Sequence, residues 1–147
     1  MTARDIERGV ERTLEEVSEA LKAGETPVGC CVLDQDGTIL SSGHNTTESE
    51  GSLLSHAEMN ALFKALRTPG KKRLQGASLI VTLEPCLMCL GACIKAGISN
   101  VYYMVASPES GAFTRFGIQS EVMEHRIEDH GQCRVLGEFF AKLRQGE

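Results

Sequence analysis

Ala77-Ser78-Leu79-Ile80-Val81-Thr82-Leu83-Glu84-Pro85-Cys86-Leu87-Met88-Cys89 runs from a nearly unbroken apolar segment straight into a proline and a Cys-x-x-Cys. The part from Ala77 to Leu83 has the length and the Leu, Ile and Val content of a strand buried on both faces, which places it at the centre of a sheet. Pro85 fits the first turn of a helix, where its missing N–H has no partner to lose. That helix is expected from Cys86 to Ala96, stopped by Gly97. Within it Cys86 and Cys89 stand at i and i+3 on one face, and the positive end of the helix dipole favours their thiolates. A central strand feeding directly into a helix is the unit of an α/β fold.

Upstream lies the second chemical stretch, Ser55-His56-Ala57-Glu58, which opens a helix with Ala57, Ala61, Leu62, Ala65 and Leu66 on its apolar side. Ser55 and Glu58 satisfy the capping-box pattern, a purely structural use of that glutamate. Positions 56 and 58 of a helix are roughly 200° apart, but in a first turn both can lean toward a site beyond the N-terminus. One imidazole and two thiols are three ligands for a tetrahedral zinc, and closed structural sites take four. Glu58 is not needed to complete the ligand set, which leaves it free for general acid–base work. A redox Cys-x-x-Cys or half of a structural zinc site are the competing readings. Neither suits the chain well. The redox motif follows the first strand of its fold, and Cys30, Cys31, Cys93 and Cys133 form no second Cys-x-x-Cys.

The remaining segments fit around this centre. Ile6, Val10, Leu14, Val17 and Leu21 recur at helical spacing after Thr2, with Asp5 as a capping partner and Gly24 as a stop. Pro27 to Leu33 reads as a buried strand, Asp34 to Gly37 as a tight turn and Thr38 to Gly43 as the returning strand. His44 to Ser52 is expected as a loop, in which Asn45 is either a turn residue or a ligand contact. Thr68-Pro69-Gly70 ends the second helix, and Lys71-Lys72-Arg73 follows as a basic run, either a solvated face or a phosphate contact. Asn100 to Val105 is a strand, Ser107 to Gly117 a loop, and Ile118 to Glu124 carries no clear period. Arg126 to Glu128 is expected as a short last strand, and Arg134 to Arg144 as a closing helix with Val135, Leu136, Phe139, Phe140 and Leu143 apolar. Strands alternating with helices predict a three-layer α/β/α sandwich around a mixed sheet, in one domain over residues 1–147.

Composition agrees with that size. Hydrophobic residues make up 41% and charged residues 24% of the chain, the balance of a globular domain. The charged first residues do not resemble a signal peptide, and no apolar run approaches a membrane span, so a cytoplasmic protein with reduced cysteines is expected. A net charge of −5 argues against nonspecific coating of nucleic acid, although a local basic patch remains compatible with it.

His-x-Glu followed by Pro-Cys-x-x-Cys is the signature of the zinc deaminases. The chain resembles the cytidine deaminase-like superfamily and, within it, the bacterial tRNA adenosine deaminases. The resemblance is carried by Pro27-Val28-Gly29, Gly43-His44-Asn45, His56-Ala57-Glu58, Val81 to Cys89, Gly111-Ala112, His125-Arg126 and Phe139-Phe140. It implies a five-stranded mixed sheet, a homodimer, and zinc (Zn2+) held by His56, Cys86 and Cys89. It further implies Glu58 as the proton shuttle, with Val28, Asn45, Ala57, Phe139 and Phe140 at the substrate. The implied reaction is hydrolytic deamination, adenosine to inosine in the anticodon loop of tRNA. Deamination of a free nucleobase or nucleoside of cytosine or guanine type, in salvage, is the alternative. The chain departs from the tRNA enzymes at Ala106-Ser107-Pro108-Glu109, where they carry an Arg-Asp pair followed by a Lys.

Overall fold

A computed structural model describes residues 1–146; Glu147, the last residue of the expected domain, lies outside the described residues. The elements in order are α1 (Ala3–Lys22), β1 (Gly29–Leu33), β2 (Ile39–His44), α2 (Thr47–Glu50) and α3 (Ala57–Leu66). They are followed by β3 (Ser78–Leu83), α4 (Leu87–Ala96), β4 (Asn100–Val105), β5 (Met123–Arg126) and α5 (Gln132–Gln145). The five strands form one sheet in the order β2-β1-β3-β4-β5. Both pairings of β1 are antiparallel, while β3–β4 and β4–β5 are parallel, so the sheet is mixed as expected.

Period-two alternation divides the sheet into its faces. Cys31, Leu33, Ile80 and Met104 point to one side, where Val10 of α1 covers them. Cys30, Val32, Leu79, Val81, Val101 and Tyr103 point to the other, where Ala57, Ala61 and Leu62 of α3 and Leu90 and Cys93 of α4 pack, joined by Leu136 of α5. That is the three-layer sandwich predicted from the sequence. β3 is buried at five of its six positions, as its apolar run requires. Gly43 lets α3 lie close on β2, since a Cβ there would meet Ala61 N at 3.0 Å and Ala57 O at 3.2 Å.

The structure differs from the sequence expectations at four places. His44 to Ser52 is not all loop, because Thr47–Glu50 makes one helical turn. The buried Glu25 carboxylate accepts the Glu48 and Ser49 N–H groups at 2.9 and 2.7 Å and nucleates that turn. The last strand is Met123–Arg126 and not Arg126 to Glu128, because β4 pairs with that segment from Asn100↔Met123 to Tyr103↔Arg126. β5 is an exposed edge with Met123 facing solvent, so its sequence shows no alternation. Pro85 precedes the N-cap of α4, which is Cys86, and so lies one step outside the first turn. The capping box at Ser55 does not form: the N-cap of α3 is His56, and the Ser55 hydroxyl donates to Glu50 Oε2 at 2.6 Å.

Candidate active site

Strand direction puts the functional residues at one edge of the sheet. The first residue of β1 pairs with the last of β2 (Gly29↔His44), and the last residues of β3 and β4 pair with each other (Leu83↔Val105). With β1 antiparallel to β3, these four ends share one edge, beyond the carboxyl ends of the parallel strands, where α/β sheets present their ligand crevices. α3 and α4 both begin at this edge, at His56 and Cys86.

His56, Cys86 and Cys89 come together there, their ligand atoms all within 4.8 Å of one another. His56 Nδ1 lies 3.7 Å from Cys86 Sγ and 3.5 Å from Cys89 Sγ. Two bonds of about 2.3 Å to sulfur and about 2.05 Å to nitrogen, meeting at a tetrahedral angle, separate the ligand atoms by about 3.6 Å. The spacing therefore fits zinc. His56 and Cys86 are the N-cap residues of their helices, and neither helix has a side-chain cap. First-turn N–H groups at both starts thus face the site with the positive dipole ends behind them.

The ionisable groups of the site shift one another's protonation. A hydrogen bond from the Cys89 thiol holds Cys86 as thiolate, its pKa lowered to about 3. Cys89 is pushed strongly upward, first by its bond to Cys86 and then by burial. His56 is raised through its hydrogen bond to Cys86. A bound divalent cation would favour the deprotonated form of all three groups. Glu58 is 4% exposed, and burial lifts its carboxyl to about 7.

A cavity of about 280 Å³ opens over these groups. Of the candidate residues read from the sequence, Val28, Asn45, His56, Ala57, Glu58 and Cys86 line it. Asn45 donates its side-chain amide to Thr47 Oγ1 at 3.2 Å, and its backbone N–H to Val28 O at 3.2 Å. Asn60 of α3 ties the same segment down by donating to His44 O at 2.8 Å and Thr46 Oγ1 at 2.9 Å.

Phe139 and Phe140 do not join the cavity. They stand edge to face on α5, 5.5 Å apart, with Phe140 exposed. α5 reaches the core chiefly through Leu136, which leaves both rings beside that contact and outside the cavity wall. The basic run is also elsewhere. Lys71 pairs with Asp34 at 2.6 Å, and Lys72 and Arg73 border a separate groove along α3 and α4. Thr26, Thr47, Leu53, Leu83, Glu84 and Ser110 complete the cavity and were not singled out from the sequence. Thr26 and Leu83 adjoin elements the motifs already named, so they were within reach. Leu53 and Ser110 sit on loops whose course no local pattern encodes.

Residues 3–105 match the family described as the cytidine and deoxycytidylate deaminase zinc-binding region. The tRNA(Ile)-lysidine synthase of Deinococcus deserti is 37% identical over 136 residues, which cover 86% of this chain but only 25% of that protein. A second lysidine synthase, from Deinococcus radiodurans, shows the same proportion, so the chain spans about a quarter of the length of these relatives. The tRNA-specific adenosine deaminase of Bacillus subtilis is 34% identical over 146 residues, covering 92% of this chain and 89% of the relative. A solved structure from studies of A-to-I editing by tRNA:A34 deaminases is 31% identical, with a TM-score of 0.76 over 84% of this chain and 99% of its own. With its motifs on the two helix starts that the match spans, the chain belongs to the cytidine and deoxycytidylate deaminase zinc-binding family.

Proposed function

We propose that the protein catalyses zinc-dependent hydrolytic deamination of a nucleobase, with adenosine in the anticodon loop of tRNA as substrate. The observation that carries this reading is Glu58, a buried carboxyl in the cavity wall beside three metal ligands whose set it does not complete. His56, Cys86 and Cys89 hold the metal. Bound zinc supplies Lewis acidity, which makes water a nucleophile at neutral pH. Glu58, a buried carboxyl raised above its ordinary pKa by desolvation, accepts the proton of the attacking water and returns it to the ring nitrogen. It then moves the second proton of that water, carried on the added hydroxyl, to the amine, so the C–N bond breaks, ammonia leaves and the carbonyl of inosine remains. Asn45 orients the base by hydrogen bonding, and Val28 and Ala57 supply apolar walls.

The relatives whose names include tRNA-specific adenosine deaminase, similar over most of their length, support the tRNA substrate. Leu54 and Phe63, 63% and 64% exposed along the groove beside α3, are apolar surface that a homodimer would cover. No described helix is long and apolar enough to cross a membrane, which is compatible with work in the cytoplasm.

A free nucleobase or nucleoside is the second reading, and one observation favours it. The cavity is lined by no Lys or Arg among the described residues, and its outer loop carries Glu109 where phosphate contact would want a cation. Ammonia release from an anticodon stem-loop RNA, set against free adenine, cytosine and guanine and their nucleosides, decides between the two. The tRNA reading expects turnover of the RNA alone. Rapid turnover of a free base with none of the RNA would replace it by the second reading.

A further inference from the structure

Glu84, the residue between β3 and Pro85, is 3% exposed and spends its whole carboxylate on one loop. Oε1 accepts the Ser107 N–H at 3.0 Å and the Thr114 hydroxyl at 2.6 Å. Oε2 accepts the Phe113 and Thr114 N–H groups, each at 2.8 Å. Four donors fill about as many acceptor sites as a carboxylate has. Glu84 borders the cavity, yet it has no lone pair left for a substrate.

The loop it holds contributes Ser110 to the wall of that cavity. Ala112 N–H donates to Pro85 O at 2.9 Å, and Gly111 bridges Cys86, so the wall is fastened beside a metal ligand. Ser110 stands at the cavity mouth, its hydroxyl 3.0 Å from that of Ser107. Gly111 is part of the clamp, because a Cβ there would overlap the Glu84 carboxylate. The four hydrogen bonds leave that carboxylate nowhere to retreat.

We propose that Glu84 is a positioning residue that holds the Ser107 to Thr114 loop against the base cavity, and so places Ser110 as a residue that selects the substrate. This rests on the reading of the cavity as a nucleobase site. Glu84 acts through the wall and touches no reacting atom. Ser110 is exposed at the mouth, so it meets the part of the substrate remote from the reacting carbon. Its contribution therefore falls on binding and not on the chemical step.

The test uses the zinc-loaded protein and the variants Glu84→Gln, Gly111→Ala, Ser110→Ala, Glu84→Ala and the double Glu84→Ala/Gly111→Ala. Amide exchange of Ser107, Phe113 and Thr114 should quicken about tenfold or more in Glu84→Gln and Gly111→Ala, while β3 and α4 keep their protection. On the substrate the wild type turns over, both variants should raise KM about tenfold and keep kcat within about threefold. Ser110→Ala should raise KM without the change in exchange. Gly111→Ala should be harmless in the Glu84→Ala background, where the overlapping group is gone. Unchanged exchange, a fall in kcat at constant KM, or protection lost throughout β3 would overturn the assignment of Glu84. Unchanged KM in Ser110→Ala would remove the selecting role. If the wild type deaminates none of the substrates offered, the proposed function fails, and exchange together with the double variant still decides the clamp.

Discussion

Thr2-Ala3-Arg4-Asp5 and Ser55-His56-Ala57-Glu58 carry the same local signature, a hydroxyl residue followed three positions later by an acid at the start of a helix. At α1 the signature does what it promises. The Thr2 hydroxyl accepts the Asp5 N–H at 3.2 Å, and the Asp5 carboxylate accepts the Thr2 N–H at 2.8 Å. At α3 neither bond forms. Ser55 turns to Glu50, His56 becomes the N-cap with no side-chain partner, and Glu58 is buried in the cavity wall. One helix start is closed by its own side chains, and the other is left uncapped at the candidate site. The α4 start at Cys86 is open in the same way. Uncapped first turns are a local cost, and the metal and substrate of the proposed function would recover part of it.

Replacing Glu58 by Gln is the strongest way to break this contrast. If Glu58 moves protons, Glu58→Gln should keep zinc and fold while kcat falls about 10²–10⁴-fold, which is about 2.7–5.5 kcal/mol of barrier. A capping acid would show the reverse, a loss of about 1 kcal/mol in stability with activity intact. Metal analysis, urea unfolding and turnover on the same preparations separate the two. Zinc-loaded Glu58→Gln with near-normal kcat would return Glu58 to a structural role.

The contrast also explains which features could be read from the sequence. The candidate metal ligands were legible because each motif is local, Cys86 and Cys89 three positions apart and His56 two from Glu58, and because the paired motifs, though 30 residues apart, match a known signature. α1 and β4 were legible because their apolar periods meet a continuous core. The cavity walls were not. Glu25 and Glu84 look like any other surface acids in sequence, yet each is buried and reaches a loop 23 or more residues away. No window of sequence shows that a carboxylate will meet those N–H groups. Phe139 and Phe140 lie outside the cavity lining for a related reason. Their apolar character suits a core, but the helix that carries them is anchored chiefly by Leu136. At Ser55 local propensity and tertiary demand disagreed, and the demand of the site prevailed, as functional positions are prone to do.

α2 is an intermediate case, a helix start closed from a distance. Its N-cap, Thr46, gives no side-chain bond, and Glu25 supplies the acceptors instead. Burial raises the Glu25 carboxyl, but the Glu48 and Ser49 donors outweigh it and leave the pKa below its ordinary value. A group with a depressed folded pKa contributes stability above its unfolded pKa and loses it as pH falls through the folded one. Glu25→Gln should therefore cost about 1.5–3 kcal/mol at neutral pH, the worth of a charge-assisted bond. The difference from wild type should shrink as pH falls below the ordinary carboxylate range and through the lowered folded pKa, where both side chains are neutral. Unfolding of both proteins by urea across that range checks it. A difference that does not depend on pH would mean that shape and not charge holds α2.

The smallest effect belongs to the closed start itself. Thr2→Ala removes the hydroxyl that accepts the Asp5 N–H, and N-cap truncations of this kind cost about 1 kcal/mol. The Asp5 carboxyl is held below its ordinary pKa first by the Thr2 N–H and then by the Thr2 hydroxyl, so part of the cost should fade in acid, as the sign for a depressed carboxyl requires. α1 packs on the sheet face opposite α3 and α4, through Val10 against Cys31, Leu33, Ile80 and Met104. No residue of α1 lines the cavity. Fraying its first turn should thus leave zinc content, kcat and KM unchanged while the unfolding midpoint falls. That outcome would set the two start signatures fully apart, one worth about 1 kcal/mol of stability and no activity, the other the reverse. A Thr2→Ala protein with a raised KM would show that α1 reaches the cavity through β1, and the division between closed and open starts would no longer hold.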